Sequence, residues 1–161
     1  MLSDMPSPRV VVVGSVNLDI VVPVPHHPMT GETVMGGDHA LVPGGKGANQ
    51  AVAASRQGAA VTFVGRVGSD DTGATLKASL EASGVDTSHL AVDAGAPSGI
   101  ALIGVNADGD NAIVVSPGAN AHVSSSDLDG ASAVLADAAV VLLQLEIPAE
   151  TVTNAALATG G

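Results

Sequence analysis

The sequence predicts an α/β fold, in which helices cover a doubly wound, mostly parallel sheet and a small second sheet stands apart. Two observations predict it. Apolar, β-branched runs alternate with stretches of helical periodicity, which is typical of parallel, helix-covered sheets. One hairpin pattern near the middle of the chain breaks that alternation, so we assign it to the second sheet. A chain of 161 residues is long enough for one domain with a hydrophobic core.

The composition excludes several classes of protein. Hydrophobic residues make up 46% of the chain and charged residues 13%, which argues against disorder. A formal net charge of −11 argues against nucleic acid or an anionic membrane surface as a partner. Without cysteine there can be no disulfide or thiol chemistry. Because we find neither a membrane-length apolar run nor a hydrophobic signal region, we expect a cytoplasmic protein.

The first strands differ in their patterns. Residues 10–13 are continuously β-branched, which predicts a strand buried on both faces. Residues 16–24 alternate between apolar and other residues, which predicts an extended segment with two distinct faces. Residues 33–42 predict a further strand-like segment, interrupted at Gly36-Gly37 by a bulge or bend.

The next segments predict a helix, a strand and a second helix. We expect the first helix at residues 47–57 and a second buried strand at residues 60–64. Ser69 is a candidate N-cap for the second helix. Leu76 and Leu80 are four residues apart, so both should face inward.

A hairpin is predicted from residues 98–105 and 111–116, which flank an Asp108-Gly109 turn. We expect it to join the segments at 16–24 and 33–42 in the second sheet. The acidic turn lacks the further oxygen ligands of a calcium-binding loop, so we interpret it as a simple polar turn. The histidines do not have metal-ligand spacing either, and we expect no metal site in this chain.

The last part of the chain predicts a third helix, a third buried strand and a final helix. Ser125 or Ser126 can cap the third helix, and residues 139–145 form the strand. Pro148 stands at a first helical position. The inner face of the final helix should carry Val152, Ala155, Ala156 and Thr159.

Three polar side chains are candidates for a binding site. Asn17 and Asp19 lie on the same face of one extended segment, where they could bind hydroxyl groups or simply meet solvent. Glu146 follows a strand whose carboxyl end is the usual place for ligands in open α/β sheets. It could equally be a carboxylate stabilised by the start of the final helix.

A glycine-rich turn at residues 42–51 carries Lys46 and Asn49 into the first predicted helix. Such a turn lets the backbone approach a ligand, and the helix N-terminus favours anions and hydroxyl-rich ligands. A plain loop-to-helix turn remains the alternative. A P-loop is excluded, because Gly47 follows Lys46 where Ser or Thr is needed and Ala40 occupies the place of the first glycine. The dinucleotide fingerprint is also absent from the first strand-to-helix turn.

The string from Gly44 to Ala51, followed by Gly58 and Gly68, resembles the first signature of the ribokinase-like carbohydrate kinases of phosphofructokinase-B type. Three further strings fall in that family's order. They are Gly14-Ser15-Val16-Asn17-Leu18-Asp19, Pro28-Met29-Thr30-Gly31-Glu32-Thr33 and Gln144-Leu145-Glu146. The resemblance covers nearly the whole chain, but only the first half of a family member.

The resemblance implies an ATP-dependent kinase that converts D-ribose to D-ribose 5-phosphate. The implied sugar contacts are Asn17, Asp19, Gly45, Lys46, Asn49 and Glu146. It implies ATP, Mg²⁺ and K⁺ as cofactors, and a homodimer formed through a lid of residues 16–42 and 98–116. Residues 9–15, 43–97 and 117–161 would form the core, which would be incomplete on its C-terminal side.

The resemblance also implies a Gly-Ala-Gly-Asp stretch whose Asp is the catalytic base. No such string occurs in this sequence, so the family's base and nucleotide site are expected outside it. We therefore expect the chain alone to be inactive as a kinase. Two alternatives remain open: a non-catalytic sugar-binding or dimerisation module, and a family kinase that acts on a nucleoside or fructose.

Overall fold

The computed structural model describes residues 8–159 and contains two four-stranded sheets. The strands are β1 (Arg9–Val13), β2 (Asn17–Pro23), β3 (Ala40–Gly44), β4 (Ala60–Gly68), β5 (Val85–Asp93), β6 (Gly99–Val105), β7 (Asn111–Ser116) and β8 (Val140–Leu143). The helices are α1 (Lys46–Arg56), α2 (Asp71–Ala82), a 3₁₀ helix (Gly118–His122), α3 (Ser125–Gly130), α4 (Ser132–Ala136) and α5 (Ala149–Thr159).

The first sheet, the core sheet, is parallel throughout, with strand order β5-β4-β1-β8. Its central strand β1 pairs Val12 with Phe63 on one side and Leu142 on the other. Helices α1 and α2 pack on one face, and α3, α4 and α5 pack on the other. This arrangement confirms the predicted doubly wound α/β fold.

Small aliphatic side chains fill the core on both faces of this sheet. Val10 and Val12 face α1 and α2, whereas Val11 and Val13 face the helices of the other side. Phe63 is the only aromatic residue of the sequence, and its side chain is 0% exposed. It is therefore the largest single apolar contribution to the core.

The second sheet, called the lid sheet after the lid that the resemblance implies, has strand order β3-β2-β6-β7. The predicted hairpin is confirmed, because β6 and β7 are antiparallel and Leu102 pairs with Val114. Strand β6 also pairs in parallel with β2, so the hairpin does join the segments predicted to accompany it. The strand predicted at residues 33–42 was wrong in length, since β3 begins only at Ala40. Before it, the Gly37 N–H donates to the Pro23 carbonyl (2.9 Å), so this segment caps the end of β2 rather than extending the sheet.

Strand β5 has no counterpart among the predicted strands. It lies at one edge of the core sheet and carries polar residues such as Asp86, Ser88 and His89 between its buried positions. A strand at the edge of a sheet tolerates polar residues, but this polar pattern does not predict a strand from the sequence. Strand β8 forms the opposite edge and is shorter than predicted. Val140 is 47% exposed there, so the expectation of a fully buried strand was also wrong.

Three helix boundaries differ from prediction. Asp70, not Ser69, caps α2, because its carboxylate accepts the Gly73 N–H at 2.7 Å. Ser124, not Ser125 or Ser126, caps α3 in a capping box. The predicted third helix is divided into α3 and α4 at the residues after Gly130, which has a low helix propensity.

The final helix follows its prediction in part. It begins at Ala149, directly after Pro148. Ala155 is buried and Val152 is partly buried, as predicted, but Ala156 is exposed. The side chain of Thr159 lies outside the described part of the chain. Over residues 8–159, no helix is both long and apolar enough to cross a membrane.

Candidate functional site

A cleft of about 160 Å³ lies where the two sheets meet. All six residues proposed from the sequence line it: Asn17, Asp19, Gly45, Lys46, Asn49 and Glu146. The lid sheet adds four apolar side chains: Ala101, Ile103, Ile113 and Val115. The cleft thus has a polar side made by β2, α1 and the loop after β8, and an apolar side made by the β6–β7 hairpin.

The glycine-rich turn brings the start of α1 against the chain between β1 and β2. Gly45 has φ +93° and precedes the helix as its N-cap. A Cβ atom there would lie 2.8 Å from the Asn17 nitrogen and 2.9 Å from the Val16 Cα. Both contacts are with backbone, which cannot move aside. Glycine is therefore required at this position for its conformation and for the available space.

Glu146 joins three separated parts of the chain. Its Oε2 accepts hydrogen bonds from the Ser15 hydroxyl (2.7 Å) and the Lys46 backbone N–H (2.9 Å). Its Oε1 accepts one from the Lys46 ammonium (2.5 Å). Burial alone would raise the pKa of Glu146, but the bonds from Lys46 and Ser15 outweigh it and hold the pKa below its ordinary value. Glu146 is therefore ionised at neutral pH.

Asp19 is the second carboxylate of the cleft, and its environment differs. Partial burial is the main cause of a raised pKa at Asp19, and the negative charge of Glu146 raises it further. Lys46 acts in the opposite direction. The two carboxylates thus have pKa values displaced in opposite directions, which is frequent at functional sites.

Lys46 and Asn49 occupy the first turn of α1. Both side chains are exposed, and that of Lys46 is 69% exposed even though its ammonium contacts Glu146. Asn49 makes no hydrogen bond through its side chain within the described residues. Its amide can therefore both donate and accept toward a ligand.

Several residues that organise the cleft were not among the predicted site residues. Ser15 bonds to Glu146 and also accepts the Gly47 N–H (3.3 Å). Gln144 donates to the Val13 carbonyl (3.1 Å) and fills the space beside Gly14, where a Cβ would meet its amide nitrogen. Ser15 and Gln144 lie within the sequence strings that carry the family resemblance. Membership of these strings was the signal in the sequence that could have identified them as residues of the cleft.

A further group ties the lid sheet to α2. Asp70 accepts hydrogen bonds from both the Ser98 N–H (2.8 Å) and the Ser98 hydroxyl (2.6 Å). The same hydroxyl accepts the Gly68 N–H at 2.9 Å. Desolvation alone would raise the pKa of Asp70, but the bonds that it accepts from Ser98 and Gly73 outweigh this and lower the pKa. The start of β6 is therefore fixed to the end of β4 and to the α2 N-terminus.

In residues 8–159 no group of three or more His, Asp or Glu side chains is placed to hold a metal ion. The chemistry available at the cleft is hydrogen bonding by two carboxylates, one ammonium and two amides. Such a set suits a small, neutral, hydroxyl-rich ligand.

Comparisons with known proteins identify relatives of this chain by sequence and by fold. The model of the pfkB family carbohydrate kinases matches residues 7–159. The chain is 46% identical over 144 residues to a ribokinase of Bacillus subtilis (strain 168), covering 89% of this chain and 49% of that protein. The crystal structure of a Cryptococcus neoformans ribokinase in complex with ADP superposes with a TM-score of 0.86 and 36% identity, over 97% of this chain and 47% of that one. An Arabidopsis thaliana ribokinase complexed with ribose and ATP gives a TM-score of 0.80 and 34% identity, over 96% and 50%.

The chain spans about half the length of the curated relatives it matches. The family model covers every residue that the structure describes. The chain belongs to the pfkB family of carbohydrate kinases.

Proposed function

We propose that this chain forms the sugar-binding part and the lid of an ATP-dependent, ribokinase-type kinase that converts D-ribose to D-ribose 5-phosphate. One observation carries the proposal. Six polar or glycine residues from β2, α1 and the loop after β8, far apart in sequence, line a single cleft between the two sheets. Similarity to ribokinases over about 90% of the chain supports ribose as the sugar.

The cleft matches the chemistry of a sugar. Asp19 and Glu146 accept hydrogen bonds from the hydroxyl groups of a sugar, and the Lys46 ammonium donates to the hydroxyl oxygens. The side-chain amides of Asn17 and Asn49 form hydrogen bonds with the remaining hydroxyls. A sugar that lacks one hydroxyl leaves one of these polar groups without its partner, so the site discriminates strongly among sugars.

The lid sheet supplies the apolar side of the cleft. Ala101 and Val115 lie in register beside Asp19 on neighbouring strands of the sheet, where they can contact the C–H groups of a sugar ring. An apolar cover also excludes water, which competes with the sugar as acceptor of a phosphoryl group. We propose that this sheet, with bounds near 16–42 and 98–116, is the lid.

The described residues offer neither a metal site nor the Gly-Ala-Gly-Asp string of the family. We therefore propose no residue of this chain as catalytic base and derive no step through ATP, Mg²⁺ or K⁺. Phosphoryl transfer depends on positioning and charge stabilisation around the γ-phosphate. We expect those groups to come from residues beyond this sequence.

We further propose a homodimer formed through the lid. The face of the lid sheet turned away from the cleft is apolar, and Leu41, Leu102 and Val114 on it are 56%, 47% and 66% exposed. A contiguous exposed apolar surface favours association. Light scattering should give a dimer mass for the native chain, and Val114→Lys should shift it to the monomer. A native monomer at micromolar concentration would contradict the dimer.

Calorimetric titration with D-ribose tests the sugar site. We expect binding by the native chain and loss of binding in Asp19→Ala. Asp108→Ala is the matched control, because it removes a carboxylate from an exposed turn of the same sheet. No binding to a folded native chain would contradict the proposal. Tighter binding of adenosine or fructose would assign the chain to the alternative substrates.

A coupled assay for ADP formation completes the test. With ribose and Mg²⁺-ATP we expect no ribose-dependent turnover by this chain alone. Turnover would show that the catalytic groups are within the sequence and would contradict their assignment elsewhere. Binding without turnover agrees with the proposal, and also leaves room for the sugar-binding module considered from the sequence.

A further inference from the structure

Asn120 is a buried amide below the cleft, at the junction of the two sheets. It belongs to the 3₁₀ helix that follows β7, and it is 1% exposed. The Val16 N–H donates to its Oδ1 at 3.0 Å. Its Nδ2 donates to the Val16 carbonyl (3.0 Å) and to Oδ1 of Asn17 (2.8 Å). Both protons of this amide therefore have acceptors.

The orientation of these two amides follows from the backbone. Val16 presents one donor and one acceptor whose identities are fixed, so Oδ1 of Asn120 must face the N–H and Nδ2 must face the carbonyl. The second proton on Nδ2 then points at Asn17, which has to accept it. Consequently, Asn17 turns its oxygen toward Asn120 and its amide nitrogen away from it.

Gly99 closes the remaining side of this pair. A Cβ on Gly99 would lie 2.2 Å from Oδ1 of Asn17 and 2.3 Å from Nδ2 of Asn120. The two amides therefore fill the space where β6 begins. Asn17 itself is 3% exposed, and its Nδ2 has no acceptor among the residues that the structure describes. Since Asn17 lines the cleft, this nitrogen is available to a ligand there.

We propose that Asn120 is a positioning residue of the cleft, which holds Asn17 so that its amide presents N–H donors to an oxygen atom of the ligand. The inference rests on the proposed function, since it takes the ligand to be a hydroxyl-bearing sugar. It specifies which atom of Asn17 makes the contact, and it assigns a role to a residue that does not itself line the cleft.

Side-chain amide NMR of the ligand-free chain tests the orientation. We expect both Nδ2 protons of Asn120 to exchange slowly with solvent. Asn17→Ala should shift one of them upfield, because its acceptor is lost. Asn17→Asp should restore the shift, because it keeps an oxygen in place. Fast exchange in the native chain, or spectra of Asn120 that do not respond to Asn17→Ala, would overturn the proposal.

Sugar binding tests the consequence. Asn120→Ala should weaken ribose binding roughly 3- to 10-fold, the effect of one misplaced neutral hydrogen bond. Asn17→Ala should bind ribose and one monodeoxyribose, the one that lacks the hydroxyl contacted by Asn17, with similar affinity. Asn120→Ala should reduce the difference in affinity between ribose and that same monodeoxyribose only. Asn120→Ser serves if the alanine variant does not fold. Asn106→Ala, in the exposed hairpin turn, is the control and should leave binding unchanged.

The outcomes separate the two proposals. If Asn120→Ala weakens ribose and all its deoxy analogues equally, its role is structural and the inference is overturned. If the folded native chain binds no sugar, the proposed function fails, and the ligand-free spectra alone decide whether Asn120 orients Asn17.

Discussion

Replacing Glu146 with Gln should destabilise the fold at neutral pH and leave it nearly unchanged in acid. The carboxylate is 21% exposed and accepts three hydrogen bonds. Gln keeps one carbonyl oxygen for the Ser15 hydroxyl and the Lys46 N–H. Its amide nitrogen then faces the Lys46 ammonium, and two donors repel each other. The ammonium is 69% exposed and can move into solvent.

The expected size follows from these bonds. The exposed Lys46–Glu146 ion pair contributes at most about 1 kcal/mol after solvent screening. The two bonds that remain change from charge-assisted to neutral, which weakens them by roughly half, or about 0.5–1 kcal/mol each. Relief of the repulsion with Asp19 offsets part of this loss. We expect a net decrease of about 1–2 kcal/mol in the free energy of unfolding, or a Tm lower by about 3–6 °C for a chain of this length.

The pH dependence has a definite sign. The pKa of Glu146 is lower in the folded than in the unfolded chain. Its ionised form therefore contributes stability that is present above the unfolded pKa, about 4.3, and is lost as pH falls through the folded value. The native chain and Glu146→Gln should differ most near pH 7, and the difference should shrink as pH falls below about 4.3.

Urea unfolding at pH 7 and pH 3.5 measures this difference. Glu150→Gln is the matched control, since it removes the same charge from an exposed position in the first turn of α5. NMR titration should also show a lower pKa for Asp19 in Glu146→Gln, because the negative charge of Glu146, which raises that pKa, is removed. Equal stability at pH 7, or an equal loss at both pH values, would refute the role assigned to Glu146.

Three further predictions concern the glycine turn, the core and the second carboxylate. Gly45→Ala should destabilise the chain by about 3 kcal/mol or more, and Gly58→Ala by only about 1 kcal/mol. Both glycines have positive φ, but only at Gly45 would a Cβ atom also meet backbone atoms. Equal losses of the two variants in thermal unfolding would contradict this. Phe63→Ala should reduce the free energy of unfolding by about 3–5 kcal/mol in urea, and a loss below 1 kcal/mol would show that Phe63 is not central to the core. Asp19→Asn should raise the free energy of unfolding at pH 7 by roughly 0.5 kcal/mol, the scale of screened surface charges. The reason is that the raised pKa of Asp19 makes its ionised form oppose folding above that pKa. This gain should shrink as pH falls through the folded pKa, and a loss of stability at pH 7 would contradict the prediction.

The parallel core was predictable because its strands are marked by continuous apolar runs. Residues 10–13 could be assigned on this basis, and the hairpin around Asp108-Gly109 was equally clear from its turn. Strand β5 was not predictable in the same way, since edge strands tolerate polar residues. The helix caps were displaced by one or two residues because several adjacent Ser and Asp residues have similar capping preferences.

The cleft residues were predictable one by one, but their grouping came from the resemblance. Period-two alternation placed Asn17 and Asp19 on one face, and the predicted elements placed Lys46 and Asn49 at a helix start and Glu146 after a strand. The resemblance added Gly45 and grouped these residues as contacts of one sugar. Side-chain contacts between residues far apart in the chain could not be predicted from the sequence. Ser15 and Asn120 contact site residues that are 131 and 103 positions away, and such contacts depend on the topology of both sheets.

Backbone NMR during a ribose titration tests the central claim most directly, because it shows where on the chain the sugar binds. We predict shifts at Asn17, Gly45, Lys46 and Asn49, and none at the opposite end of the core sheet, around Ala60 and Asp86. Shifts confined to that opposite end, or a folded chain whose cleft signals do not respond to ribose, would contradict the account of a sugar site between the two sheets.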